Sequence, residues 1–310
     1  MNLNINNILY QKKGVTISNL AMDLLSKDVG NRIASISNYQ KEFQVSRGTM
    51  QNAFSYLKEI GAISLRNQGY QGTYIEKIDY KKLQESCLKQ EILGIMPLPY
   101  SRTYEGFATA IYEQLKDLKF NMAYTRGAVV RLQLVESGIY QFAIVSRYAA
   151  EYAIADGRDI ECILNFGAGS FLSKHILLLR DKRATGIEDG MKVAYDEESL
   201  DQSGITCNLI RNKKVQLVSI RTQQTISALL DGTIDAGVWN YDDIMKNDHA
   251  YDLKPIFIED DKYNAQFSTA VLITKKKDKY LKELLKKKIN VEDTIRIMNE
   301  VKTGIKDKSF

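Results

Sequence analysis

The chain has 310 residues, with 43 Lys and Arg against 38 Asp and Glu, for a formal net charge of +5. With 44% hydrophobic and 26% charged residues, the composition is that of a globular protein and excludes collagen-like and disordered chains. No apolar run approaches the roughly 18 residues that a membrane helix needs, so no membrane partner is expected. The length predicts two domains. The opening residues, MNLNINNILYQKK, lack a basic stretch followed by an apolar core and a small-residue cleavage site, and the expected location is the cytoplasm.

Cys87, Cys162 and Cys207 lie far apart and are odd in number, which implies no disulfide framework. The two histidines, His175 and His249, sit at no metal-ligand spacing with each other or with a cysteine, so neither a metal nor another cofactor is expected. Charge is unevenly placed. Residues 1–90 carry net +5, residues 91–274 net −6 and residues 275–310 net +6. A basic N-terminal part beside an acidic middle fits one module that meets a polyanion and one that does not, although a solvated lysine face gives the same sum. The lysine- and leucine-rich run 275–288 reads as an exposed amphipathic helix, with a second nucleic-acid contact as the alternative.

In chain order, residues 15–26 predict a helix with Leu20, Leu24 and Ile17 on one face. Ser35 or Ser37 then caps a short helix through Phe43, residues 44–46 turn, and Ser46 caps the next helix by accepting from the amide of Thr49. Met50, Ala53, Phe54 and Leu57 recur at helical spacing and form its buried face, with Arg47, Gln51, Ser55 and Lys58 opposite. Gly61 ends it. Strands at 62–66 and 73–75, with Gly69 and Gly72 between them, supply a hairpin wing. Two short helices joined by a tight turn, the second polar and basic on its open face, describe a helix-turn-helix.

Ile33, Val45-Ser46-Arg47-x-Thr49, Ala53, Leu57, Ile60-Gly61 and the G-x-x-G-T-Y-I tail together resemble the GntR-type winged helix-turn-helix over about 45 residues. That family carries Leu-Pro-Ser-x-Arg ahead of its first motif helix, where this chain has Ile33-Ala34-Ser35-Ile36-Ser37. The arginine contact to DNA made there has no counterpart here. The resemblance implies that Ser46, Arg47, Thr49 and Gln51 face the major groove of double-stranded DNA and that Gly69 sits in the wing. Arginine suits a guanine edge or a phosphate, and glutamine suits adenine. The alternative for Arg47 is a surface ion pair.

Residues 80–91 are polar and lysine-rich and predict a linking helix. Beyond them strands and helices alternate: strands at 92–96, 121–124, 141–145, 160–165, 175–180, 192–196, 215–219 and 236–239, with helices at 104–118, 128–137, 199–210 and 223–231. This predicts an open, mostly parallel α/β sheet. Two stretches, ESGIYQFAIVS (136–146) and LDGTIDAGVWN (230–240), repeat a helix, a glycine turn and a strand ending in a polar residue. They resemble the units of two-lobed periplasmic-binding-protein-like domains, in which a ligand lies between the lobes at the strand C-termini.

The strings MPLPYSRTYEGFATAI, TRGAVVRLQLVESGIYQFAIVSRYAAEYA, SLDQ, GTIDAGVWN and STAVLIT are similar to the C-terminal domain of YhfZ-type regulators, nearly to the end of the chain. That family joins a GntR-like helix-turn-helix to a periplasmic-binding-like effector domain. The expected organisation is therefore α/β: a winged helix-turn-helix over residues 1–80, a linker helix over 81–91, and a two-lobed, type II ligand-sensing domain with a helical tail over 92–310.

Within the expected cleft, residues 97–103 follow the first strand and open a helix, where free amides attract anions and Ser101, Arg102 and Thr103 add donors. Arg126 precedes the next helix, Ser146-Arg147 follow a strand, and Asn240 ends the strand of the second lobe. Three arginines near strand ends predict a small carboxylate or phosphate ligand. The alternative for each is a structural cap or a lobe-to-lobe ion pair, and for Tyr100 and Trp239 it is core or hinge packing. The expected function is a ligand-responsive transcription regulator, a homodimer on a two-fold related operator, and not an enzyme. The competing reading is an enzyme on the same fold that draws a base from Asp196, Glu197 or Glu198, although an acidic run at a helix start also serves as a cap.

Overall fold

Ile17, Leu20 and Leu24 fall on one buried face of the first helix, α1 (Lys12–Leu25), in the computed structural model, which describes residues 11–242, 253–258 and 261–310. Ser35 caps α2 (Ile36–Phe43) by accepting from the Asn38 amide at 3.2 Å. The turn after it places Gln44 at φ 53°, a left-handed conformation that few side chains adopt. Ser46 then caps α3 (Arg47–Glu59) through the Thr49 amide at 3.1 Å, as expected. Met50, Ala53, Phe54 and Leu57 are buried along α3, and Gly61 leaves it at φ +71°, a conformation that suits glycine.

The wing follows as an antiparallel pair, β1 (Ile63–Asn67) and β2 (Thr73–Ile78). A 3₁₀ turn over Gly69–Gln71 joins the two strands. The expected linking helix is short: α4 spans Tyr80–Glu85, capped by Asp79.

Two five-stranded sheets form the rest of the core. The first contains β3 (Ile92–Met96), β4 (Phe120–Tyr124), β5 (Phe142–Ser146) and β6 (Ile160–Asn165), with helices α5 (Arg102–Gln114), α6 (Ala128–Glu136) and α7 (Arg147–Ala155) between them in sequence. The second contains β7 (His175–Leu179), β8 (Lys192–Tyr195), β9 (Gln216–Ser219), β10 (Ala236–Asn240) and β11 (Lys254–Phe257), with α8 (Leu200–Leu209) and α9 (Thr225–Leu230). After α10 (Asp261–Ser268), β12 (Ala270–Lys275) returns to the first sheet between β5 and β6.

This corrects the expectation of mostly parallel sheets. β3–β5, β8–β9 and β8–β10 are parallel, whereas β12 runs antiparallel to both β5 and β6, and β7 antiparallel to both β10 and β11. Strands that pass between lobes enter each sheet from the opposite end, which a reading of local alternation misses. β5 and β7 are buried at every residue, the pattern of strands covered on both faces.

The tail adds α11 (Lys279–Lys288) and α12 (Val291–Thr303). The chain forms two compact units. One comprises the segment through Ile92, Glu113–Asn121 and Lys277–Asn290; the other comprises Leu93–Tyr112, Met122–Lys276 and Val291–Phe310. In the first, α11 buries Leu281, Leu284 and Leu285, its Tyr280 ring meets Phe43 edge-on at 5.6 Å, and Lys287 pairs with Asp28 at 2.7 Å. The amphipathic helix expected near 275–288 is therefore packed on its leucine face. The first unit holds 20 Lys and Arg against 12 Asp and Glu, which concentrates the basic charge with the helix-turn-helix.

Candidate functional site

On the helix-turn-helix, burial of the Met50 stripe turns the opposite side of α3 outward, and Ser46, Arg47 and Gln51 are exposed. Thr49 is half-buried, its hydroxyl 2.8 Å from that of Ser46, so both hydroxyls are engaged in the cap. Gly69 lies at the wing tip at φ +62°, with its amide donating to Asn67 Oδ1 at 2.9 Å. Next to it Tyr70 is fully exposed, an aromatic ring at the wing tip that the sequence reading passed over.

In the second unit a cavity of about 370 Å³ lies where the two sheets face each other. The first lobe contributes Tyr100, Tyr104, Arg126 and Arg131 to its wall, and the second contributes Asp196, Asp201, Thr222, Trp239 and Asn240. Phe171 and His175 line the side where the chain crosses between lobes. Arg131 sits on the apolar face of α6 with Ala128, Leu132 and Val135, and is 4% exposed. Its Nε donates to the Ile144 carbonyl at 3.1 Å and its Nη1 to the Thr125 carbonyl at 2.9 Å. Among the described residues no carboxylate forms an ion pair with it.

Asp201, in the first turn of α8, accepts from the Ser146 hydroxyl, and burial pushes its carboxyl up to about 6. Asp196 is differently placed. It accepts from Thr222 N at 2.8 Å, Thr222 Oγ1 at 2.7 Å and Glu198 N at 3.1 Å. Arg126 Nη1 stands 3.5 Å from Asp196, and its Nη2 pairs with Glu198. His175 is held near 4 by burial, so its imidazole is neutral at pH 7. The Trp239 indole N–H is buried without a partner among the described residues.

Further contacts close one lobe over the other. Gln223 Nε2 donates to the Tyr100 hydroxyl at 3.2 Å. Gly127, at φ +74°, lies so near Glu198 that an added Cβ would stand 2.9 Å from its carbonyl oxygen. Glycine is required there both for its backbone angle and for the close approach.

Of the ligand residues expected from sequence, Arg126 and Asn240 are in the cavity wall. Ser101 and Thr103 are buried at the start of α5, where Ser101 Oγ accepts from Tyr104 N at 3.3 Å. Arg102 Nη1 donates to the Val301 carbonyl at 3.4 Å. Ser146 is buried and caps α7 through Ala149 N at 3.0 Å, and Arg147 pairs with Glu151 at 2.6 Å. The reading missed Arg131, Asp201 and the cavity position of His175. One signal was available for Arg131: it interrupts the apolar face of AVVRLQLV. His249 lies outside the described residues. Among the described residues no helix is long and apolar enough to cross a membrane.

A model of the YhfZ C-terminal domain matches residues 79–310, and one of a helix-turn-helix domain matches residues 28–75. The Escherichia coli K12 protein named "Uncharacterized protein YhfZ" is 28% identical over 301 residues, which is 97% of this chain and 98% of the relative. The crystal structure of YhfZ from Shigella flexneri matches with a TM-score of 0.61 at 26% identity, covering 71% of this chain and 93% of that one. An amino acid ABC transporter substrate-binding protein from Streptococcus pneumoniae, solved with L-arginine bound, matches with a TM-score of 0.50 at 16% identity over 69% of this chain and 93% of its own. That likeness is one of fold.

Proposed function

Because the chain belongs to the YhfZ C-terminal domain family and carries a helix-turn-helix domain ahead of it, we propose that this DNA-binding regulator is ligand-responsive. It answers a small anionic metabolite, a carboxylate or a phosphate. The observation that carries the reading is the buried guanidinium of Arg131 in a cavity lined by two lobes, joined in one chain to a helix whose N-terminal end exposes Arg47 and Gln51. A buried guanidinium with N–H donors to spare and no ion pair among the described residues selects a planar oxyanion, and the exposed helix end suits base and phosphate contacts.

A homodimer in the cytoplasm, binding half-sites about one helical turn apart, is the assembly that fits this function. Ser46, Arg47, Thr49, Gln51 and Gly69 are its proposed DNA contacts. Arg126 and Asn240 join Arg131 around the ligand. Ser101, Arg102, Thr103, Ser146 and Arg147 support the strand ends around them. Coupling of about 1–3 kcal/mol between ligand and DNA is enough for regulation. Sensing is favoured over catalysis because, in the acidic run 196–198 that would offer a base, Asp196 already accepts from Thr222 and the Glu198 amide and the Glu198 carboxylate pairs with Arg126.

Selection of bound duplexes from a random pool by the full-length protein tests this. An enriched, two-fold related sequence supports the reading. A folded protein that enriches nothing, with or without a metabolite mixture, refutes it.

A further inference from the structure

We propose that the ligand of this cavity is an α-amino acid with an uncharged side chain, its carboxylate held by Arg131 and its ammonium by Asp201. This rests on the reading of the cavity as a ligand site and adds the ligand's charge pattern. Two buried ionisable groups of opposite sign line the same space from different lobes, Arg131 at 4% exposure from α6 and Asp201 at 8% from α8.

Arg131 uses Nε and Nη1 on the carbonyls of Ile144 and Thr125. Those bonds fix the plane of the guanidinium but supply no negative charge, and further N–H donors remain. Among the described residues the carboxylate whose charge reaches it is Asp201, which stands beyond ion-pair distance on the other lobe, and a ligand carboxylate set against the guanidinium supplies the close anion that a buried cation needs. Asp201 is the counterpart. One of its oxygens takes the Ser146 hydroxyl hydrogen, which leaves the other for a ligand donor. Its carboxyl is pushed up to about 6 by burial, so at neutral pH it is ionised by a narrow margin, and a bound ammonium would hold it charged.

Asp196 is no substitute for Asp201, since the Thr222 and Glu198 contacts and the Arg126 pairing occupy it. A ligand with only a carboxylate would meet Arg131 yet bring its charge towards Asp201. One with only an ammonium would do the reverse. A molecule carrying both groups satisfies both walls. Beyond them the wall turns aromatic, with Tyr104, Phe171 and Trp239, and His175 is neutral. That surface favours an uncharged side chain.

The only tryptophan of the chain is Trp239, in the cavity wall, so its fluorescence reports occupancy in the full-length protein. The probes are the twenty common α-amino acids singly, with succinate and inorganic phosphate as simple anions. The strongest amino-acid binder is then compared with its des-amino acid and with its decarboxylated amine. The expected result is saturable binding of at least one amino acid with an uncharged side chain. Loss of either charged group should weaken it roughly 10- to 100-fold, the range for one charge-assisted hydrogen bond. Asp201→Asn should abolish the discrimination between the amino acid and its des-amino counterpart, an effect that a purely structural Asp201 would not produce.

Saturable binding by succinate or phosphate and by no amino acid would overturn the zwitterion and keep the ligand-sensing reading. So would an amino acid bound no better than its des-amino analogue on the wild-type protein, a comparison that holds even if Asp201→Asn fails to fold. Silence from every probe would overturn the proposal and the sensing half of the function together.

Discussion

Ser146, the last residue of β5 in one lobe, donates its hydroxyl hydrogen to the buried carboxylate of Asp201 in the first turn of α8 in the other. The same oxygen accepts from the Ala149 amide at 3.0 Å, so one side chain caps α7 and ties the lobes. Ser146→Ala removes both bonds and leaves Asp201 without its donor. The expected loss is about 1–3 kcal/mol of stability, read as a lower urea midpoint with an unchanged slope.

Asp201 and His175 oppose one another in pH dependence. The folded value of Asp201, about 6 against an ordinary 3.8, makes its contribution greatest below pH 4 and lost as pH rises through 6. His175 lies near 4 in the fold against an ordinary 6.5, so its contribution is full above 6.5 and lost as pH falls through 4. Between about pH 4 and 6 the unfolded chain holds its proton on His175 and the folded chain on Asp201. The two terms cancel. His175→Gln should make stability fall as pH rises from 4 to 6, and Asp201→Asn should make it fall as pH drops from 6.5 to 4. Urea midpoints across that range check both signs.

Gly127→Ala sets a Cβ against the Glu198 carbonyl at a backbone angle that alanine disfavours. A stability cost of roughly 1–3 kcal/mol is expected, together with a weaker hold of the first lobe on the second. Thermal unfolding would show the first effect. A red shift of Trp239 emission, as its indole becomes wetter, would show the second.

Leu284 is fully buried in α11, within the same compact unit as the helix-turn-helix. Leu284→Ala should cost about 2–5 kcal/mol and loosen that unit first. Amide exchange should quicken in α1 and α11 while β5 and β12 stay protected. Equal loss across both units would contradict this placement of the tail.

The helix-turn-helix was legible because its determinants are local: a serine cap at Ser46, one apolar stripe along α3, and glycines after α3 and in the wing turn. The two-lobed core was legible from repeated helix–glycine–strand units and from the strings shared with its family. Long-range pairings were not. β12 lies more than a hundred residues beyond β6, yet stands beside it, and α11 returns to the N-terminal unit. Nothing in a local pattern encodes either. The cleft was expected, but its lining was legible only in part, for a related reason. Arg102, Arg126, Arg131 and Arg147 are equivalent as letters, and only the packed fold gives a carboxylate to Arg126 and Arg147, sends Arg102 to the Val301 carbonyl, and buries Arg131 in the cavity wall on the carbonyls of Ile144 and Thr125.

Arg47 is exposed in the first turn of α3, so the most direct test of the account is the affinity of the full-length protein for its selected duplex as salt is raised, wild type beside Arg47→Ala. The account predicts an affinity that falls steeply with salt, and for Arg47→Ala a weaker complex whose logarithmic slope is shallower by about one if the side chain meets a phosphate. A base contact would instead weaken binding and relax the preferred sequence at one position in each half-site. Affinity indifferent to salt, with the variant equal to wild type on every duplex, would contradict the claim that this helix binds DNA.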